Sequence, residues 1–301
     1  MTLHLIIYRT MNRNFSKYTW LWMLLLCIPF AMTSCDSDVH EDEEGGLSVA
    51  LAWLNSDDAT AVDNIRLWVF NASDGSLVES SEFSDARALA HKRLQLRSGQ
   101  YKVVTAVNLT SSFAASDALD FDDLLFSLSE ASASPRHAFY GVAEATVGGD
   151  KAVTVVTDSI RRMMSELTVT ITDAPASSVQ TGTVNNAATG FYPGKAQTTD
   201  NLTTVTLPST TAQGTTIQTQ TLRLMPTADG QGKTKLSLQV TDANGHVSNF
   251  SIEAPVMKPG GKYEVTLEYP TMRAFMSLST CVINPWTEGW TYNEEIFNPE
   301  Q

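Results

Sequence analysis

The chain has 301 residues, 33 of them acidic and 20 basic, for a formal net charge of −13, and it holds three cysteines. So large an acidic excess repels nucleic acid and anionic lipid headgroups, and no basic patch argues otherwise. Three cysteines cannot build a disulfide framework for a chain of this size, so the fold must rest on apolar burial.

At the N-terminus, Arg13 and Lys17 precede an apolar run from Trp20 to Met32, then Thr33, Ser34 and Cys35. About a dozen apolar residues are too few to cross a hydrocarbon core roughly 30 Å thick as a helix. This predicts a secretion signal over residues 1–34, with Met11 giving it better proportions than Met1. Small residues directly before a cysteine resemble the lipobox of bacterial lipoproteins, although Met32 stands where Leu is commonest. The resemblance implies that Cys35 is acylated, becomes the mature first residue, and attaches the chain to a membrane through two or more fatty chains. An ordinary signal peptide with an incidental Cys35 is the alternative. Cys27 leaves with the signal, and the remaining Cys281 reads as a small packing residue beside Met276 and Leu278. All 33 acidic residues and 17 of the 20 basic ones lie beyond Cys35, a balance of −16. Six of those carboxylates fall between Asp36 and Glu44, which predicts a solvated tether over 35–46. The tether also resembles the acidic signal that sends Bacteroidetes lipoproteins to the outer face of the outer membrane.

From Leu47 onward the dominant period is two. Ile65, Leu67 and Val69 alternate with Arg66, Trp68 and Phe70, leaving that strand apolar on both faces. Tyr101, Val103, Thr105 and Val107 form another face; Leu167, Val169 and Ile171 alternate with threonines. Leu236, Leu238 and Val240 alternate with Ser237, Gln239 and Thr241, and Tyr263, Val265, Leu267 and Tyr269 with Glu264, Thr266 and Glu268. One-sided alternation of this kind is what antiparallel sheets with one wet face require. Turn residues punctuate the runs at Asp74-Gly75, Ser98-Gly99, Gly148-Gly149, Asp229-Gly230, Asn244-Gly245 and Pro259-Gly260-Gly261. Asn244-Gly245, with positive φ at both positions, is expected to join Leu236–Val240 to Val247–Ile252 as a hairpin. One helix is expected after Asp117 or Asp120, on the spacing of Leu119, Leu124, Leu125 and Leu128. The fold class is all-β sandwich. A domain boundary is placed near Thr157–Met164, dividing an N-terminal sandwich over 47–160 from a C-terminal one over 161–301.

Five segments in order resemble a known family. Asn64–Val78 is similar to the early strand-turn-strand of fimbrillin-type proteins, and Leu94–Asn108, with its Gly99-Gln100-Tyr101 step, to their central strand. Phe139–Ala143, Ile160–Ile171 and Ile283-Asn-Pro-Trp-Thr287 resemble a later strand, the opening of the second domain and a closing Trp motif. The family is the Bacteroidetes fimbrial group, in particular its anchor-type lipoproteins. It implies two tandem transthyretin-like sandwiches, fimbrial subunits as partners bound by strand complementation, and localisation at the outer membrane and fimbrium. In the structural subunits of that group, a protease cuts after a basic residue soon after the lipidated cysteine. This frees the first strand and opens a groove. Here no Lys or Arg lies between Cys35 and Ile65, and the first is Arg66, inside an expected strand. That favours a retained anchor over a shed stalk or tip subunit.

No catalytic or metal-binding constellation stands out, so neither an enzyme nor a cofactor is expected. His91, His137 and His246 fall in separate segments, and no nucleophile elbow or phosphate-cradling loop occurs. Asp117, Asp120, Asp122 and Asp123 lack the central Gly and terminal Glu of a calcium loop and read better as capping residues. Trp53, Trp68, Trp286 and Trp290 raise a second possibility, a surface glycan-binding lipoprotein, against which core packing is the ordinary fate of Trp in a sandwich.

Overall fold

The structure, a computed structural model, describes residues 44–54, 62, 64–149 and 153–269, with the backbone of 273–281 and 294–296. All of them lie within one unit spanning 43–301.

In the first half, β1 (Glu44–Trp53), β2 (Ile65–Asn71) and β3 (Leu77–Phe83) are followed by α1 (Ala86–His91), β4 (Leu94–Arg97) and β5 (Gly99–Val107). Then come β6 (Phe113–Ala115), β7 (Phe126–Leu128), β8 (Phe139–Val147) and β9 (Val153–Arg162). The second half begins with β10 (Ser165–Thr172), β11 (Val179–Ala188), β12 (Gly190–Tyr192), β13 (Gln197–Thr198), β14 (Leu202–Thr211) and β15 (Ile217–Gln218). It continues through β16 (Leu222–Leu224), β17 (Thr234–Thr241), β18 (Val247–Ala254), β19 (Gly261–Glu268), β20 (Arg273–Cys281) and β21 (Glu294–Ile296).

The first half forms a seven-stranded sheet in the order β3-β2-β5-β8-β9-β1-β4. Its inner face carries Leu47, Ile65, Leu67, Val103, Phe139 and Ile160, with Leu89 of α1 closing the core. In the second half a six-stranded sheet (β15-β10-β19-β20-β21, with β16 also on β10) faces a four-stranded one (β14-β11-β17-β18). Leu167, Val184, Leu236, Phe250 and Val265 fill the space between them. A fourth sheet, β13-β12-β7-β6, takes two strands from each half. Phe126 pairs with Phe191 across it, and a third core beneath it draws Trp68, Phe70 and Phe126 from one half and Phe191 and Met225 from the other. This explains the two-sided apolar pattern of β2: Ile65, Leu67 and Val69 face the first core, while Trp68 and Phe70 face the third.

The all-β expectation holds, with several local departures. Most ladders are antiparallel, but β1 runs parallel to β9 and β10 parallel to β19, so each half folds its first strand back beside a late one. β1 begins at Glu44, so Glu44, Gly45 and Gly46 are strand, not the last part of a tether. β9 continues through the expected break after Val156 to Arg162. The helix expected after Asp117 or Asp120 is absent. Asp120 caps only a 3₁₀ turn, Phe121–Asp123, between the short strands β6 and β7. There Leu124 and Leu128 enter the third core while Leu119 is 79 % exposed, so only two of the four leucines share a core, and they do so without a helix. Among the described residues α1 is the α-helix that forms; the Asp85 carboxylate accepts Ala88 N–H at 2.8 Å as its N-cap. The β17–β18 hairpin forms, with Thr241 opposite Val247, one residue away from the register of a two-residue Asn244-Gly245 turn, and its turn has positive φ at Gly245 alone. Asp242 accepts from Gly245 N–H and donates its own N–H to His246 O, the pattern of a three-residue loop ending in a glycine bulge.

Candidate functional site

The first strand carries the geometry that bears most directly on assembly. β1 lies between β9, in a parallel register running from Gly46 opposite Val153 to Trp53 opposite Ile160, and β4, from Glu44 opposite Arg97 to Leu47 opposite Leu94. Leu47 and Val49 are buried in the first core. Two glycines admit the strand: a Cβ at Gly45 would run into the carbonyl of Gly148, and one at Gly46 into the Arg93 guanidinium. β1 therefore fills the space between β9 and β4. Arg66, the first basic residue after Cys35, lies in β2 opposite Glu82 of β3 on one side and Ala106 of β5 on the other. Its side chain pairs with Glu82 at 2.6 Å. A backbone paired on both sides cannot enter a protease cleft as an extended chain without opening the sheet.

Beside β1, β8 and β9 are paired only where Phe139 and Tyr140 meet Arg162 and Arg161. Asp158 of β9 points inward in phase with Ile160 and is fully buried. It rests against Gly141, where a Cβ would collide with its carboxylate. Neither carboxylate oxygen completes a hydrogen bond, and nor does the neighbouring Thr105 hydroxyl. Burial pushes this carboxyl up to about 6; Thr105 and the charge of Arg161 only moderate the rise. The alternation Val156, Asp158, Ile160 was the available signal that this carboxylate faces the core.

A second charged group ties the halves together. Glu166 of β10, 13 % exposed, holds His137 Nε2 at 2.7 Å, with Arg223 Nε at 3.3 Å, Lys262 Nζ at 3.5 Å and Arg162 Nη1 at 3.6 Å. The hydrogen bond from His137, reinforced by the charges of His137, Lys262 and Arg162, holds the Glu166 carboxyl down at about 2 against the opposing effect of burial. The partners of Glu166 lie far apart along the chain, so local spacing could not reveal them.

The other residues singled out from sequence are not gathered into one place. Trp68 is buried against Phe126, ring centroids 5.5 Å apart, and Trp53 meets Phe139 edge-on at 5.3 Å, so both pack internally and form no exposed platform. Trp286, Trp290 and the Ile283–Thr287 motif lie outside the described residues, as do the signal segment, Cys35 and most of the tether. His246 bonds Asp242 (3.1 Å) and His137 bonds Glu166, in separate connecting segments, and His91 ends α1.

A profile of the fimbrillin-A associated anchor proteins Mfa1 and Mfa2 matches residues 39–292. The chain belongs to this family. Solved structures agree on the fold. The fimbrial anchor protein Mfa2 from Porphyromonas gingivalis is 13 % identical with a TM-score of 0.52, over 83 % of this chain and 99 % of that one. A candidate adhesin from Bacteroides thetaiotaomicron is 15 % identical with a TM-score of 0.56, over 79 % and 96 %. A candidate polysaccharide-binding protein of the same species is 12 % identical, also at 0.56, over 78 % and 96 %. Identities this low speak to fold alone. No curated protein sequence matches this chain significantly.

Proposed function

We propose that this anchor-family protein is an outer-membrane lipoprotein, acylated at Cys35, that serves as the anchor or an accessory subunit of a surface fimbria. It acts in adhesion and binds its neighbours by β-strand complementation. On this reading residues 1–34 are the signal peptide, an acidic tether follows Cys35, and 47–160 and 161–301 are two transthyretin-like sandwiches. The role is structural, not enzymatic.

The observation that carries the anchor reading over a shed stalk or tip subunit is the placement of Arg66. The first residue a trypsin-like protease could use lies within a sheet, with β1 already seated upstream of it. A chain that keeps its first strand keeps its link to Cys35, and hence to the membrane. The packed positions of Trp53 and Trp68 remove the two described tryptophans from any glycan platform.

The test is made in cells. Deleting the gene should change fimbrial length or release fimbriae into the medium, and Cys35→Ala should abolish palmitate labelling and reproduce the release. Unchanged fimbriae in the deletion strain would refute the anchor role. An N-terminus at Leu67 in the assembled protein would show that β1 is cut away after all.

A further inference from the structure

Where the two halves meet, a cleft of about 350 Å³ opens between Tyr140 and Arg161 on one side and Gln197, Asp229, Met257 and Lys258 on the other. This is at the small end of the range for ligand sites. Its chemistry is set by Arg161. The guanidinium lies over the Tyr140 ring, 5.2 Å from its centroid, and Tyr140 is itself held against Phe191 at 4.7 Å, so the cation rests on a fixed platform. Its Nε is buried with no hydrogen-bond partner, and among the described residues Arg161 forms no direct ion pair, its charge acting only through space on the buried Asp158. That is unusual in a chain with 33 carboxylates, because a guanidinium presents a fork of donors that matches a carboxylate. The carboxylate sharing the cleft, Asp229, is engaged by Gln197 Nε2 at 2.7 Å. Lys258 adds a second cation at the rim, so the site favours an anion. One wall is β13, the two-residue terminal strand of the shared sheet, which is held to the neighbouring 227–229 segment by Thr198 Oγ1 on Thr227 O and by Asp229 N–H on Thr199 O.

We propose that this cleft receives an acidic extended segment of a neighbouring fimbrial subunit, with one carboxylate forked onto Arg161 and Lys258 steering it from the rim. Only the source of the segment rests on the function proposed above; the peptide chemistry stands independently.

The test uses the full chain solubilised in detergent and two fluorescent capped pentapeptides, Thr-Val-Glu-Val-Thr and Thr-Val-Gln-Val-Thr, followed by anisotropy. The Glu peptide should bind at least tenfold more tightly than the Gln peptide, the size of effect a charge-assisted forked pair supplies. Arg161→Gln should abolish the difference, and Arg161→Lys, which keeps the charge but loses the fork, should retain only part of it. Equal affinities for the two peptides, or discrimination that survives Arg161→Gln, would overturn the proposal. If Arg161→Gln does not fold, Lys258→Glu at the exposed rim decides: discrimination must fall severalfold, and an unchanged ratio refutes the site. A glucuronate disaccharide that binds more tightly than the Glu peptide would replace the peptide with an acidic glycan and overturn the assignment. Fimbriae unaltered by gene deletion would refute the anchor role while leaving the peptide result to stand or fall by itself.

Discussion

Asp158→Asn isolates the energetic consequence of placing an unpaired carboxylate in the first core. In the folded chain this carboxyl titrates near 6, against an ordinary value of 3.8. Its folded-state value is raised, so the fold favours the protonated form. The stability this preserves is fully present below about pH 4 and is lost as pH rises through 6. A shift of roughly two units corresponds to about 3 kcal/mol once both states are ionised. By the same linkage about 1 kcal/mol is already gone at pH 4.5 and nearly all of it at pH 7.5. Asparagine keeps the shape without the charge. Its own packing and hydrogen-bonding effect is independent of pH, so the difference between two pH values reports the carboxylate alone. In urea melts of the solubilised chain, the variant's stability relative to wild type should therefore be about 2 kcal/mol more favourable at pH 7.5 than at pH 4.5. Distant groups cancel between the two proteins. A relative stability that is the same at both pH values would mean Asp158 finds a partner or water in solution, and the argument from burial would fail.

Glu166→Gln should destabilise the chain by about 2 kcal/mol at pH 7, since four nitrogen donors lose their shared anion; the penalty should shrink as pH falls through 4.5 toward 2, where wild-type Glu166 is itself protonated, and a pH-independent penalty would count against the hub. Gly45→Ala should cost on the order of 1–3 kcal/mol in thermal melts, because the Gly148 carbonyl it meets is backbone and cannot swing away. Leu47→Ala should cost about 2–5 kcal/mol and should render β1 the first segment cut by added protease. Separate fragments 35–162 and 163–301 should bind hydrophobic dyes and lack cooperative melts: baring Trp68, Phe70, Phe126, Phe191 and Met225 at roughly 1.5–3 kcal/mol each matches the whole stability of an ordinary domain, about 5–15 kcal/mol.

Much of the scaffold could be read from residue periodicity, because alternation reports directly which side of a strand is buried. The β17–β18 hairpin was expected from Leu236, Leu238 and Val240 with Asn244-Gly245 as its turn, and even the two-sided burial of β2 showed as a run without a wet face. Leu119, Leu124, Leu125 and Leu128 misled because helical spacing says only that side chains are apolar at certain intervals. A strand-turn-strand that dips repeatedly into one core produces the same intervals. α1 was overlooked for the opposite reason: it is six residues long and buries only Leu89, so its signal was the Asp85 cap and not its periodicity. The charged sites were the least legible. Glu166 gathers His137, Arg162, Arg223 and Lys262 from four segments, and Arg161 becomes notable only in the fold, where its buried Nε has no hydrogen-bond partner among the described residues.

The placement of β1 and the sheet shared between the halves bear on a single physical requirement. A subunit that passes a fibre onward must leave a strand-sized gap for its neighbour; one that ends a fibre at the membrane need not. Between β9 and β4 no such gap remains, because Leu47 and Val49 already occupy the core there and Gly45 and Gly46 let the backbone through. Opening that gap would require cutting at a residue paired on both sides and then withdrawing a strand with eight parallel pairings to β9. Each apolar side chain withdrawn forfeits kilocalories of burial, and no loop lysine or arginine offers an easier start. Contact with a neighbour is therefore expected at the surface of the folded chain and not by replacement of its first strand. The cleft holding Arg161 and Lys258 is where that surface offers cations to an acidic neighbour.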